Sequence, residues 1–492
     1  MRSVLSVLAG LFLVCSLIPA ADAKRPNVVF ILTDDQRWDA LGCAKHPLLK
    51  IKTPNLDRLA KEGAIFRNMF VTTSLCSPSR ASFLSGLYPH THKIINNFTD
   101  YPGDLPSYPR QLKEAGYETA YIGKFHMGEQ NDDKRAGFDY WVTHLGQGQY
   151  YDTVFNIDGD RRPLPGYYTH RVTELAVDWL KRKHEKPFVM IMGHKAPHGP
   201  FVPEDKYKHI YDDVKVEYPK SAFELDGRPK WVEQRLDTWH GIYGPLYAFR
   251  HEFPNRSPEG VLIFGDFVRS YTATINSVDD SVGAVMKALE ETGQLNNTLL
   301  IFTSDNSFLL GEHGMIDKRT MDEESIRVPL LVRYPPLIKP GAKIDQMVLN
   351  VDLAPSILDI CSAPALPKVH GRSVKPLLQG QHEGWRKSWL YEYNYEKQFP
   401  YTPNVRGVRT DEWKYVHYPH GEGQPDRHKA ELYNVKDDPQ ELKNLIDDPE
   451  CASKLSELKA ELTRLQEETG ALPDTMPIDE GVQTTLPEKS IR

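Results

Sequence analysis

Short, continuous apolar runs alternate along the chain with stretches whose apolar positions recur at helical spacing. A run without polar alternation is buried on both faces. The pattern therefore predicts strands over residues 27–32, 118–123, 187–192, 298–303 and 328–333 of an α/β domain with a mostly parallel central sheet sandwiched by helices. The helices between them have legible ends: Thr53 and Pro54 open one as N-cap and first-turn proline, and Gly116 closes another. Over 168–181, Val172, Leu175, Ala176 and Trp179 share one helical face.

After residue 376 the texture changes. Aromatic-rich runs at 389–395, 405–409, 413–417 and 431–435, separated by turn residues, predict a small antiparallel sheet, and 452–468 predicts an amphipathic helix. The expected organisation is a catalytic domain over 24–375 and a small C-terminal α+β subdomain over 376–492. Residues 206–258 are dense in Tyr, Trp, His and charge with little periodicity, which predicts an irregular insertion, either a substrate rim or solvated decoration.

The amino terminus reads as an address. Arg2, an apolar stretch over 4–20 and the small residues Ala21 and Ala23 predict a signal peptide over 1–23, cleaved near Lys24. The chain is then exported: periplasmic or secreted from a bacterium, lysosomal or extracellular in a eukaryote. The apolar stretch is short and broken by Pro19, and no later segment predicts a membrane span once the signal is cleaved. The five cysteines, at 15, 43, 76, 361 and 451, lack the spacing of a disulfide framework. With 60 Lys and Arg against 67 Asp and Glu, the net charge of −7 excludes broad-surface binding of nucleic acid. An anionic substrate needs a local basic pocket. Oligomeric state is not encoded in any of these patterns.

Candidate chemistry gathers where the predicted strands stop: Asp34-Asp35, Lys124-Phe125-His126, His194 to His198, and Asp305-Asn306. Ligands of open α/β sheets bind outside the carboxyl ends of strands, so these groups can share one cleft. Asp34, Asp35, Asp305 and Asn306 are oxygen donors suited to Ca²⁺ or Mg²⁺, although an acidic pair after a strand also serves as a turn or cap. Lys124 and His126, two apart, point to one face if the strand stays extended, and would serve an anion undergoing proton transfer; the alternative is a solvated strand end. Pro197 argues against a helical zinc pair of His194 and His198, leaving His198 as a proton donor. Cys76 opens a helix with Pro78 in its first turn, and Arg80 returns to the same face. There it is either a low-pKa thiol facing free amides or a buried structural cysteine.

The run Cys76-Ser77-Pro78-Ser79-Arg80, followed by Phe83-Leu84-Ser85-Gly86, resembles the signature of the sulfatase family. The likeness extends to Gly311-Glu312-His313-Gly314 and Lys318, and implies an alkaline-phosphatase-like core with a small C-terminal domain. It further implies that a formylglycine-generating or sulfatase-maturing enzyme oxidises Cys76 to formylglycine, whose hydrate is the nucleophile. Asp34, Asp35, Asp305 and Asn306 would hold Ca²⁺, with Mg²⁺ the alternative, and the Cys76-derived group would touch the metal. Arg80 would hold the hydrated aldehyde, and Lys124 and Lys318 would neutralise sulfate oxygens. His198, with Lys318, would protonate the departing alcohol, and His126 would take a proton as sulfate is expelled. Ser307 departs from the glycine of many relatives, and His194 receives no role.

Finer matches at Ser74-Leu75-Cys76, Tyr88-Pro89-His90, Asn96-Asn97, Ala196-Pro197-His198, Leu295-Asn296-Asn297-Thr298 and Ile316-Asp317-Lys318-Arg319 are similar to N-acetylglucosamine 6-sulfatases. They imply a sulfated glycan substrate. The alternatives are a sulfatase for another polysaccharide, a phosphodiester or phosphonate monoester hydrolase of the same superfamily, and an inactive glycan-binding protein.

Overall fold

The computed structural model describes residues 25–46, 49–232, 258–419, 428–477 and 480–483. The expected signal peptide and residues 233–257 of the expected insertion lie outside the described residues. The strands in chain order are β1 (Asn27–Thr33), β2 (Ala64–Phe66), β3 (Met69–Phe70), β4 (Glu118–Gly123), β5 (Tyr140–Thr143), β6 (Val154–Ile157), β7 (Asp160–Pro163) and β8 (Phe188–Gly193). They continue with β9 (Thr298–Ser304), β10 (Leu330–Arg333), β11 (Ala342–Ile344), β12 (Val348–Leu349), β13 (Ser388–Tyr393), β14 (Val405–Thr410), β15 (Trp413–His417) and β16 (Glu431–Asn434).

The large sheet has the order β11-β2-β10-β9-β1-β8-β4-β5-β6-β7. Its centre is parallel, because β1 pairs in parallel with β8 and β9, and β4 with β8 and β5. Period two along β1 divides the core. Val28, Phe30 and Leu32 pack on one face with Ala81 and Phe83 of the helix Cys76–Ser85. Val29 and Ile31 face Val172 and Trp179 of Tyr168–Leu180 and Val282 and Met286 of Pro258–Glu291. Leu175, expected on the buried face, is only half-buried at its edge.

Four of the five predicted strands, β1, β4, β8 and β9, fall where the apolar runs predict them. β10 differs: it starts at Leu330 rather than 328 and runs antiparallel to β9. β2, β5, β6, β7 and β11 are three or four residues long, too short to show a period, and only the sheet reveals them.

Register brings the chemical ends level. Leu32 pairs with Gly193, Thr33 with Ser304, and Gly123 with Gly193, so four strands stop along one edge. Two glycines let them converge: a Cβ on Gly123 (φ 108°) would stand 2.0 Å from the Gly193 carbonyl oxygen, and one on Gly193 2.3 Å from that of Lys124.

The second sheet is antiparallel, β13-β14-β15-β16, and the helix Ala452–Thr469 buries Leu458, Leu462 and Leu465 against it. It is not an appendage: Trp389, Tyr391 and Val408 share one hydrophobic cluster with Phe70, Leu75, Met315 and Met321. Among the described residues no helix is long and apolar enough to cross a membrane, and Cys43, Cys76, Cys361 and Cys451 are free thiols.

Candidate active site

Each predicted strand-end residue except His194 reaches one buried cluster or its rim. Cys76 opens the helix Cys76–Ser85, which Gly86 (φ 70°) closes, and its Sγ lies 3.3 Å from Asp34 Oδ1 and 2.9 Å from Lys318 Nζ. Lys124 Nζ contacts Asp34 Oδ2, and Lys318 Nζ contacts Asp35 Oδ1. Arg80, one turn into the helix, donates from Nε to Asp305 Oδ2 at 2.8 Å and from Nη1 to the Lys124 carbonyl at 2.6 Å. Asp305 Oδ1 accepts from the Asn306 amide at 2.8 Å. Asn306 Nδ2 donates to Asp35 Oδ1 at 2.5 Å.

This is a crowd of charges with almost no water to screen them. Burial alone would raise Asp34, but Lys124, His198 and Lys318 hold it well below the usual carboxylate range. Asp305 goes the other way, pushed up to about 7 by burial and by the Asp34 charge, and Asp35 rises for the same two reasons. Ligand atoms of Asp34, Asp35, Cys76 and Asp305 all lie within 4.8 Å of one another, and the buried Asp35 Oδ2 and Asn306 Oδ1 have no hydrogen-bond partner among the described residues. Mutually repelling carboxylates and orphaned oxygens fit a hard divalent cation. Ser307 bonds the Ser325 carbonyl through its amide at 3.1 Å, while its buried hydroxyl has no hydrogen-bond partner among the described residues.

Two expectations need correction. The thiol of Cys76 is not of low pKa: burial and Asp34 push it up to about 12. The helix start offers it little, because Pro78 has no amide hydrogen and the Ser77 amide donates to Asn97 Oδ1 at 3.1 Å. Nor does the strand stay extended to His126, whose φ is 49°; the turn instead sets its Nε2 2.9 Å from Glu129 Oε1 and leaves the buried Nδ1 without a partner among the described residues.

His198 Nε2 stands 3.8 Å from Asp35 Oδ2, while its Nδ1 donates to the Gly199 carbonyl at 2.7 Å. His194 is turned away and meets Ser281 on the helix Pro258–Glu291 at 3.3 Å, a packing position that accounts for its lack of a role. A cleft of about 620 Å³ opens beside the cluster, lined by His198, Lys195, Gln147, Asn97, Arg319 and Glu396 among others. Gln147, whose Oε1 contacts Lys124, escaped sequence reasoning; its one local signal is Gly146 and Gly148, both at positive φ, on either side.

Buried neutral histidines give the protein a pH dependence. Burial and Lys124 push His126 down to about 4, burial pushes His144 and His92 to about 3, and burial with Arg80 brings His194 to about 3. Their unfolded-state value is about 6.5, so below that the unfolded chain binds protons that the native state refuses, and stability falls with pH until the folded values are reached. His90 beside Glu392 and His313 beside Asp322 shift upward and oppose this, as do the buried carboxyls of Asp279, Asp305 and Glu441, which burial raises to about 6, 7 and 7. Each depressed histidine costs about 2 kcal/mol at pH 5. In the folded protein the imidazoles of His92 and His144 should therefore stay neutral from pH 7 to pH 5, and NMR signals that titrate in that window would contradict this account.

Comparison with known proteins decides the family. The sulfatase family model matches residues 26–363, and the chain is 33% identical to the N-acetylglucosamine-6-O-sulfatase of Bacteroides thetaiotaomicron over 91% of this chain and 87% of that one. The chain belongs to the sulfatase family. A second model, described as the C-terminal part of N-sulphoglucosamine sulphohydrolase, matches 311–468, a span running from the segment that carries Lys318 through the small sheet. This sulfatase is also 32% identical to the N-acetylglucosamine-6-sulfatase of Homo sapiens, over 77% of its length and 69% of the human protein. A solved structure holding its substrate, D-glucosamine-2-N,6-O-disulfate, matches with a TM-score of 0.82 at 32% identity, covering 92% of this chain and 99% of the other. The protein is thus a sulfuric ester hydrolase by family, with the alkaline-phosphatase-like α/β core that its signature implied. Sulfatases as a family use formylglycine and a metal ion, and the buried acidic cluster fits such an ion.

Proposed function

We propose that this sulfatase is exported and removes the 6-O-sulfate of N-acetylglucosamine in sulfated glycans, with a nucleophile made from Cys76. The seat of Cys76 carries the proposal: a thiol with its pKa near 12 is a poor nucleophile as it stands, yet it is placed 2.9 Å from Lys318 and one helical turn before Arg80. The substrate reading is supported by the names of the two relatives and by the sugar held in the matching structure.

Oxidised to an aldehyde by a maturing enzyme, Cys76 would supply, as the hydrate, the attacking oxygen. Asp34, Asp35, Asp305 and Asn306 would hold Ca²⁺, with Mg²⁺ the alternative, which would supply charge to the ester oxygens. Around these groups, Arg80, braced by Asp305, would hold the hydrated aldehyde. Lys124 and Lys318 neutralise sulfate oxygens in a site with little water. His198 turns Nε2 to the cluster. Its pKa lies well below the ordinary value because it is buried, and an arriving sulfate raises its proton affinity so that it can protonate the leaving sugar oxygen. His126 is kept neutral and presents Nδ1 to take a proton as sulfate departs, with Glu129 orienting the ring.

Parallel assays on 6-O-sulfated N-acetylglucosamine, other sulfated sugars and an aryl phosphodiester test the proposal. The 6-sulfate should be cleaved with the highest kcat/KM. A larger value for the diester, or for a sulfate at another position, refutes it.

A further inference from the structure

Most cations around the cleft are already balanced. Lys124 pairs with Asp34, Lys318 with Asp35, Arg80 with Asp305, and Arg319 with Asp317 and Glu396. Lys195 is not. It lines the cleft, is 2% exposed, and among the described residues has no carboxylate within ion-pair distance. Its Nζ lies 3.4 Å from the Gln147 carbonyl and 5.2 Å from the centre of the Tyr150 ring, two contacts that stabilise a cation only weakly. A buried ammonium without a counter-ion is costly, and folds keep one where a ligand completes it.

We propose that Lys195 is a specificity residue for a second anionic group, a sulfate, sulfamate or carboxylate, carried by the sugar beside the sulfate that is cleaved. The inference rests on the sulfatase reading above and adds to it a preference among substrates. The scissile sulfate has its own cations in Lys124, Lys318 and Arg80, all hydrogen-bonded into the Cys76 cluster, whereas Lys195 makes no hydrogen bond to Asp34, Asp35 or Cys76. Gln147 ties the two together at a set offset: its side chain holds Lys124 and its carbonyl faces Lys195. The cleft of about 620 Å³ onto which Lys195 opens has room for a sugar. Burial and Lys124 push Lys195 down to about 7, the direction expected of an ammonium whose counter-ion arrives with the substrate.

The test compares kcat/KM for N-acetylglucosamine 6-sulfate, for glucosamine 2-N,6-O-disulfate and for a 6-sulfated disaccharide with a neighbouring uronate, in the wild type and in Lys195→Met. Wild type should favour one doubly charged substrate at least tenfold, and which one identifies the source of the anion. Lys195→Met should lose most of that preference while melting at or above the wild-type temperature, since methionine fills the place of the stem without burying charge. Should Lys195→Met fail to fold, Lys195→Gln is read by the same ratio. A preference that survives the substitution overturns the proposal, as do equal losses on all three substrates, which would place Lys195 on the scissile sulfate. Wild-type cleavage of all three without preference removes the Lys195 subsite alone. Wild-type cleavage of an aryl sulfate but of none of the sugars removes the functional reading and this inference with it.

Discussion

Cys76→Ala should abolish sulfate-ester hydrolysis, by on the order of 10⁵-fold or more, while the protein stays folded. No other group can take over. The hydroxyl of Ser77 is bonded to the His126 carbonyl, and that of Ser79 accepts from Asn350 at 3.0 Å. Alanine keeps the helix start, and the removed sulfur is a single buried atom whose main contacts are polar, Lys318 and Asp34. Loss of activity with a near-native melting temperature is therefore the expected pair of results. Mass spectrometry of the peptide spanning residue 76 supplies the complement: active wild-type protein should carry the aldehyde there. Activity retained in Cys76→Ala, or in protein whose Cys76 is entirely unmodified thiol, would refute the mechanism.

Removing divalent cations should be nearly as severe and should also register in stability. Asp34, Asp35 and Asp305 converge within 4.8 Å, and two of them already shift upward through burial and mutual repulsion. A cation that binds only the folded chain stabilises it by about 4 kcal/mol at a thousand times its Kd. Chelation should therefore lower the melting temperature and abolish turnover, and Ca²⁺ should restore both. Asp35→Ala should blunt the Ca²⁺-dependent rise in melting temperature. Chelator-treated protein that melts and turns over like the untreated enzyme would show that these carboxylates hold no functional ion.

Much of this site could be read from the chain alone, for a definite reason. Apolar runs such as 27–32 and 298–303 end abruptly in acids and amides, and a fully buried strand ends that way only where it meets a site or a turn. The signature from Cys76 to Gly86 then separated the two. What escaped lies in short or aperiodic segments. Strands β5 to β7 have too few residues for a period. Gln147 sits in a loop whose only local mark is its glycines, and Lys195 looked like one more polar residue after a strand.

Local pattern carried the α/β class and placed acids, amides and histidines at the strand ends, because side-chain period and turn chemistry are properties of neighbours in sequence. Folding decided which groups touch and in what state of charge. The thiol of Cys76 rises rather than falls because it is buried and because Asp34, 42 residues away in sequence, stands 3.3 Å from it, and among the described residues Lys195 has no ion-pair partner because other cations claim the acids. Burial and long-range charge set those outcomes, and both exist only once distant strands have met.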